Sequence, residues 1–243
     1  DYVAEQLRDL VRRLERATGK PYDEDALREA LRRENRSKAY FREALEKRVA
    51  HAYPGTLTLV LFLLLATHLN IGSAWVETFF RMLSEEAGRG PAPHETRLLW
   101  VHVAPYVIDP LRNFLEYNES CAIVCDDLNL DYMEPLDESR PLRALARKMI
   151  RNIYNGDFSR KADACVRYAK EYRCDAAVEF CHWGCKQSAG GAALLKEKMR
   201  RAGVPMLILD GDALDRRNNH EGQVKTRFEA FLEMLHEEGG TAR

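Results

Sequence analysis

The stretch 176–199 reads Ala-Ala-Val-Glu-Phe-Cys-His-Trp-Gly-Cys-Lys-Gln-Ser-Ala-Gly-Gly-Ala-Ala-Leu-Leu-Lys-Glu-Lys-Met. It begins with a short apolar run, 176–180, that is typical of a buried strand, and it leads into a helical pattern over 190–202. Cys181 and Cys185 lie where the strand gives way to the helix. Ligands bind at this edge of open α/β sheets, and a helix N-terminus lowers the pKa of a thiol.

The same change from strand to helix recurs through the second half of the chain. Strands are predicted at 97–103, 121–125, 176–180 and 204–209, with helices at 107–117, 142–153, 162–172, 190–202 and 223–236. Short apolar strands that alternate with helices indicate an α/β fold with a parallel sheet between two helical layers. Because crossover connections are right-handed, we expect a flavodoxin-like or Rossmann-like half that is four strands wide.

The first part of the chain shows helical periodicity throughout. Helices are predicted at 2–18, 24–49, 59–69 and 74–87. The third of these is apolar on all sides, so we expect it to be buried. Residues 88–93, Gly-Arg-Gly-Pro-Ala-Pro, break the pattern, which divides the chain into a helical region, 1–93, and an α/β half-domain, 94–243. Because the sequence opens at Asp1 inside a helical pattern, we interpret it as a piece of a longer protein.

Composition narrows the class of protein. Hydrophobic residues make up 46% and charged residues 31% of the 243 positions, as in ordinary globular proteins. A net charge of −1 offers nothing to attract nucleic acid. The longest apolar run, about 57–69, is shorter than the roughly 20 residues that a membrane span needs. Six cysteines without a signal peptide indicate a reducing, cytoplasmic location rather than a disulfide framework.

Four loops are expected to meet at the C-terminal edge of the sheet. They are 104–107, 125–134, 181–190 and 210–222. Cys185 is the strongest candidate for a metal ligand, because it lies at a strand end beside a histidine and two glycines. Cys125 ends its own predicted strand and is either a second ligand at the same edge or a packed thiol. His182 is a ligand, a proton donor or a polar surface residue.

The cysteine spacing does not match known metal-binding motifs. A zinc ribbon or finger needs two close pairs, and a ferredoxin needs the C-x₂-C-x₂-C run. Cys121 and Cys125 are separated by about 13 Å along a regular strand, so they do not share one ion. A metal site is therefore possible but short of ligands. The chain has neither a GxGxxG nor a GxxxxGK[ST] motif, which argues against nucleotide hydrolysis.

Two polar features near the strand ends are further candidates. Ser188 and Gly190 read as the start of a helix whose free N–H groups accept a phosphate, so we mark them as candidate cofactor-binding residues. Asp126 and Asp127 are able to hold a cation or supply a base. Because neighbours in an extended chain point to opposite sides, at most one of them faces a given ligand. The sequence assigns no catalytic residue.

Several stretches of the chain resemble the 2-hydroxyacyl-CoA dehydratase family. They are 175–178 with Cys185, 203–212, and the ending 221–235, Glu-Gly-Gln-Val-Lys-Thr-Arg-Phe-Glu-Ala-Phe-Leu-Glu-Met-Leu, which is the most telling. Residues 14–19 and 23–35 resemble the inter-domain helices of the family. The resemblance therefore covers nearly the whole chain, and it extends to the benzoyl-CoA reductase subunits and double-cubane cluster proteins.

The resemblance implies a 4Fe-4S cluster held by three cysteines at a domain interface, so that 1–93 is inter-domain and 94–243 binds the cluster. One of the three cysteines aligns with Cys185, and the other two belong to an N-terminal domain that this chain lacks. Cys181 is then an exchanged ligand or an inert neighbour. The cluster is incomplete in this chain, which is expected to be inactive alone.

The resemblance also implies an activity and partners. A paired homologous subunit, identical or not, and an ATP-dependent activator that donates one electron are the protein partners. The substrate is a 2-hydroxyacyl-CoA, which loses water through a ketyl radical. Two alternatives stay open: an ATP-dependent reductase subunit of the benzoyl-CoA reductase or double-cubane type, and a non-catalytic flavodoxin-like binding domain whose cysteines are core residues.

Overall fold

The computed structural model describes residues 1–93 and 96–240 and places four strands in one sheet. The strands are β1 (Thr96–Val101), β2 (Cys121–Asp126), β3 (Ala176–His182) and β4 (Met206–Gly211). Their order is β2-β1-β3-β4, and every neighbouring pair is parallel. The predicted four-stranded parallel α/β sheet is therefore confirmed, with the flavodoxin-like reversal of direction between β1 and β3.

Helices precede the sheet and cover it. They are α1 (Tyr2–Thr18), α2 (Glu24–Lys47), α3 (Leu57–Leu64), α4 (Ala74–Ala87), α5 (Asp109–Tyr117), α6 (Pro141–Arg151), α7 (Phe158–Glu171), α8 (Lys186–Arg201) and α9 (Glu221–Gly240). Their ends follow local signals. Gly19 ends α1 in the left-handed conformation, with φ of 68°. Asp23 caps α2 by accepting a hydrogen bond from the Ala26 amide at 2.9 Å. No helix in the described part of the chain has the length and apolar character that a membrane span requires.

Both faces of the sheet are buried. Along β1, Leu98 and Trp100 pack on one face, in a cluster with α3, α5 and α9, whereas Leu99 and Val101 pack on the other. This second face is covered by α2, α4, α7 and α8. A sheet buried on both sides explains why its strands are apolar throughout instead of alternating.

Helices of the first 93 residues share a buried cluster with the sheet. Phe41 of α2 and Phe80 of α4 pack against each other inside this cluster, with ring centroids 5.0 Å apart and ring planes tilted by 42°. The division at residue 93 stays a prediction. Residues 94–95 and 241–243, where the predicted half-domain begins and ends, lie outside the described residues.

The expectation of a fully buried helix over 59–69 is wrong. The α-helix α3 ends at Leu64, and a π-helical turn follows over Leu65–Leu69. Phe62 and Leu69 are 60% and 73% exposed. The physical reason is that α3 packs against the rest of the chain on one side only, so apolar side chains on its other side remain at the surface.

Candidate functional site

A crevice is expected beyond the ends of β1 and β3, because the connections from these adjacent strands leave toward opposite faces of the sheet. His102 directly follows β1, and Cys185 follows β3 after a short turn. The structure brings the two together, with His102 Nε2 3.5 Å from Cys185 Sγ. The reversal point of the sheet therefore carries a thiol in contact with an imidazole.

Cys185 is the N-cap residue of α8 and is only partly buried. Its own amide donates to the His182 carbonyl at 2.9 Å, which closes the turn between β3 and the helix. Burial acts to raise the pKa of the thiol. The backbone amides of Ser188 and Gln187 at the start of α8, together with the positive charge of Lys161, overcome this and lower the pKa below its usual 9.0. The environment thus makes the thiolate, the form that binds metals, easier to form than in an ordinary cysteine.

His102 is held from both its backbone and its ring. Its backbone lies in the left-handed region, with φ of 70°, and its amide donates to Asp127 Oδ1 at 2.7 Å. Ring Nδ1 lies 3.2 Å from the Phe180 carbonyl oxygen. Because a carbonyl only accepts, this contact assigns the proton to Nδ1 and leaves Nε2 free to accept from the thiol. Burial, followed by the charge of Lys161, lowers the pKa of His102 below its usual 6.5.

A buried group of charges lies below this contact. The Tyr154 hydroxyl donates to Asp127 Oδ2 at 2.7 Å, and Lys161 Nζ lies 3.3 Å from the same oxygen. Lys161 Nζ is also 3.9 Å from Glu179 Oε1, and Asp127, Lys161 and Glu179 are fully buried. Burial raises the pKa of Glu179 to about 7. Burial lowers the pKa of Lys161, but nearby negative groups, Asp127 above all, outweigh burial and raise this pKa above its usual 10.5.

The other predicted metal ligands are not gathered around Cys185. Cys181 is inside β3, paired in register with Asp210, and burial raises its pKa to about 12. In the parts of the chain that the structure describes, no three Cys, His, Asp or Glu side chains form a group that holds a metal ion. His182 turns away toward the loop after β4, where its Nδ1 accepts from the Ala213 amide at 3.2 Å.

Cys125 lies next to the end of β2, as predicted, but it does not approach the edge of the sheet that carries Cys185. It pairs in register with Leu99 of β1, which in turn pairs with Ala177 near the start of β3. Its sulfur lies 3.8 Å from the sulfur of Cys174, and burial raises its pKa well above the usual value. With β1 lying between β2 and β3, Cys125 packs in the core and away from the crevice.

The predicted start of the helix near residue 190 is also wrong, since α8 begins at Lys186. Ser188 lies in its first turn, fully buried, with its hydroxyl donating to the Cys185 carbonyl at 3.2 Å. Gly190 lies within the helix, and a Cβ there would meet nothing within 4 Å. Adjacent glycines are poor helix formers, which explains why the pattern placed the boundary late. A cofactor-binding role for Ser188 and Gly190 stays a prediction.

The sequence patterns did not point to His102, Lys161 or Glu179. A signal for Glu179 was present, because a carboxylate in the middle of an apolar strand needs a buried partner. His102 follows a strand directly, at the edge where ligands bind. Nothing in the sequence of α7 marks Lys161 as buried, since lysine is usually a surface residue.

Fold and site define a flavodoxin-like α/β domain with a partly exposed cysteine at the reversal point of its sheet. The family model described as 2-hydroxyglutaryl-CoA dehydratase, D-component, matches residues 1–235, and the chain therefore belongs to this family. The predicted resemblance is confirmed.

Two curated relatives show how the chain compares in length. It is 24% identical to the "(R)-phenyllactyl-CoA dehydratase alpha subunit" of Clostridium sporogenes, over 96% of this chain and 59% of that protein. It is also 24% identical to a benzoyl-CoA reductase subunit of Thauera aromatica, over 97% of this chain and 60% of that protein. The chain thus spans less than two thirds of the length of the curated relatives it matches.

Proposed function

We propose that the chain is part of a subunit of a 2-hydroxyacyl-CoA dehydratase, which eliminates water from a 2-hydroxyacyl-CoA. The observation that carries this proposal is the position of Cys185. A thiol with a lowered pKa stands at the ligand-binding edge of a sheet, in a chain that belongs to the dehydratase family. The proposed partners are a homologous subunit and an ATP-dependent activator protein.

The donor atoms test whether an iron–sulfur cluster fits this chain. Cys185 fits as one ligand, because it is accessible, forms the thiolate more readily than an ordinary cysteine and offers the soft sulfur that such clusters require. The described residues contain no group of three ligands, so the remaining thiolates of a 4Fe-4S cluster would come from elsewhere in the subunit or assembly. Cys181 and Cys125 are buried with raised pKa values, and the proposal therefore names Cys185 alone.

The residues of this chain have definable roles in such an enzyme. A bound cluster supplies single electrons for the elimination. His102 accepts the proton that the Cys185 thiol must release before its sulfur can bind a metal. Asp127 holds the backbone of His102, and Ser188 steadies the turn that presents the sulfur. Leu195 and Met199 of α8 pack in one buried cluster with Ala177 of β3, which anchors the helix that begins after Cys185.

Iron content of matched cysteine variants tests the proposal. The full natural protein, purified with its partner subunits without oxygen, is expected to contain iron and acid-labile sulfide and to release water from a 2-hydroxyacyl-CoA. Cys185→Ser is expected to lose iron, whereas the control Cys181→Ser, at a buried neighbouring thiol, is expected to keep it. Equal iron in both variants, as for a domain whose cysteines are only core residues, would refute the assignment.

A second candidate function is ATP-dependent reduction. It is favoured by the benzoyl-CoA reductase subunit, to which the chain is as similar as it is to the dehydratase subunit. Both activities use the same position of Cys185. Supplying an aromatic acyl-CoA with ATP and a reductant separates them, because a reductase consumes electrons in proportion to product, whereas the elimination consumes none overall.

A further inference from the structure

Three fully buried ionisable side chains, Asp127, Lys161 and Glu179, meet below the Cys185–His102 contact, and the proposed function has so far used only the hydrogen bond that the His102 backbone amide donates to Asp127. Lys161 lies between Asp127 and Glu179, at 3.3 Å and 3.9 Å from their nearest oxygens. Lys161 Nζ and both Glu179 carboxyl oxygens lack a hydrogen-bond partner among the residues that the structure describes. Burying charged groups with incomplete hydrogen bonding is costly, so their retention calls for a functional explanation.

Asp127 connects these charges to the site. One of its oxygens accepts the His102 amide, and the other accepts the Tyr154 hydroxyl and faces Lys161. His102 occupies a backbone conformation that is uncommon for residues other than glycine. The Asp127 bond therefore holds a strained backbone in the position that aims the ring at Cys185.

A second connection links Asp127 to the crevice, through Tyr154 and the first turn of α8. Gln187, in the first turn of this helix, donates to the Tyr154 carbonyl at 3.1 Å. Tyr154 thus joins the start of the Cys185 helix to the Asp127 carboxylate by its backbone on one side and by its hydroxyl on the other. A change in the charges around Asp127 would therefore affect both His102, through its amide, and the start of the helix that carries Cys185.

We propose that the Lys161–Asp127 pair is a positioning device, which holds His102 against the Cys185 sulfur and whose two opposite charges set the electrostatic potential at that sulfur. Neither residue contacts the sulfur, so both act through His102 and through the field. For the cluster readout below, the inference rests on the proposed function. The pair reaches the site through two short contacts, since Lys161 Nζ lies 3.3 Å from Asp127 Oδ2 and the His102 amide donates to Asp127 Oδ1 at 2.7 Å.

The reduction potential of a cluster bound at Cys185 is the first test, since it depends on nearby charge and on hydrogen bonds to the ligand sulfur. We expect Lys161→Met, which removes a positive charge, to shift the midpoint potential of the full natural protein to more negative values. Asp127→Asn keeps the shape and an acceptor oxygen but removes a negative charge, so it shifts the potential the opposite way. The double variant returns it close to that of the wild type.

An exposed pair on the same helices is the matched control. Lys198 of α8 pairs with Asp163 of α7 at the surface, where solvent screens both charges. Lys198→Met and Asp163→Asn are expected to leave the potential unchanged. Opposite shifts that cancel in the double variant are not produced by general loosening of the structure. Shifts of the same sign, or none, in protein with bound iron would overturn the inference and leave the proposed function intact.

Alkylation of Cys185 in iron-free protein provides a second readout that does not depend on a cluster. At one fixed pH, iodoacetamide is expected to react severalfold more slowly with Lys161→Met and severalfold faster with Asp127→Asn, with the double variant near the wild type. A wild type without iron would refute the proposed function, and this measurement would still decide the inference. If a charge variant does not fold, Tyr154→Phe removes one donor from Asp127 and is expected to slow alkylation; an unchanged rate would overturn the inference.

Discussion

Replacement of Glu179 by glutamine is expected to make the protein more stable at neutral and alkaline pH. Burial raises the pKa of this carboxyl to about 7 in the folded chain, against an ordinary value of 4.5. The folded state therefore holds the proton more tightly than the unfolded state, so stability is highest below the unfolded pKa and falls as the pH rises from 4.5 to 7. At about 1.4 kcal/mol per pH unit, the loss approaches about 3 kcal/mol.

Glutamine keeps the shape of the side chain and does not ionise. Both carboxyl oxygens of Glu179 already lack hydrogen-bond partners in the described structure, so the amide faces a similar environment. Urea unfolding at a series of pH values from 5 to 8 measures the difference in free energy of unfolding between wild type and Glu179→Gln. We expect this difference to be small at pH 5 and to grow to about 3 kcal/mol at pH 8.

Ionisation of Asp126 does not affect the comparison between wild type and Glu179→Gln. Burial raises its pKa to about 7 as well, but the residue is present in both proteins and its effect cancels. Glu85→Gln, at an exposed position of α4 that pairs with Arg81, is the matched control and should run parallel to the wild type. If wild type and Glu179→Gln also gave parallel pH profiles, the buried carboxyl would not carry the charge change that we infer.

Two further predictions concern reactivity and close packing. Iodoacetamide at neutral pH is expected to modify Cys185 before Cys181, because the Cys185 thiol is accessible with a lowered pKa, whereas the Cys181 thiol is buried with a pKa of about 12. Peptide mass spectrometry measures the order of modification, and the reverse order would contradict the site geometry. Gly55→Ala is expected to lose about 1–3 kcal/mol in urea unfolding, because its Cβ would lie 2.4 Å from the Ile123 carbonyl oxygen. Gly190→Ala is the control, because nothing lies within 4 Å of the added Cβ and replacing glycine by alanine in a helix stabilises it by up to about 1 kcal/mol. Equal losses of stability in the two variants would refute the packing account.

Much of the fold could be predicted from local patterns, because strand and helix periodicity depend on neighbouring residues. The four strands and the caps Gly19 and Asp23 are examples, since each signal lies within a few residues of the feature it produces. Errors arose where burial depends on distant elements. The apolar run at 57–69 has the composition of a buried helix, yet Phe62 and Leu69 remain exposed, because the described part of the chain packs against one side of it only.

The candidate site also combines a residue that local patterns could predict with contacts that they could not. Cys185 could be predicted, because a cysteine between a strand and a helix lies at the ligand-binding edge whatever the rest of the chain does. The separation of Cys125 from Cys185 could not be predicted, because the register between neighbouring strands is set by the packing of the whole sheet. Contacts of His102 with Cys185 and of Lys161 with Asp127 join residues far apart in sequence, and no local pattern contains them.

By itself, the sequence determined that this protein has a parallel α/β sheet with a thiol at a strand end, because alternation of apolar runs and helices admits few other arrangements. Only the tertiary structure decided which side chains surround that thiol. The order of strands placed β1 beside β3, and this brought a histidine from one strand end to the cysteine of another, while a buried lysine of α7 pairs with the aspartate that holds the histidine. Partners of this kind are chosen by the packing of layers against each other, which the spacing of residues along the chain does not encode.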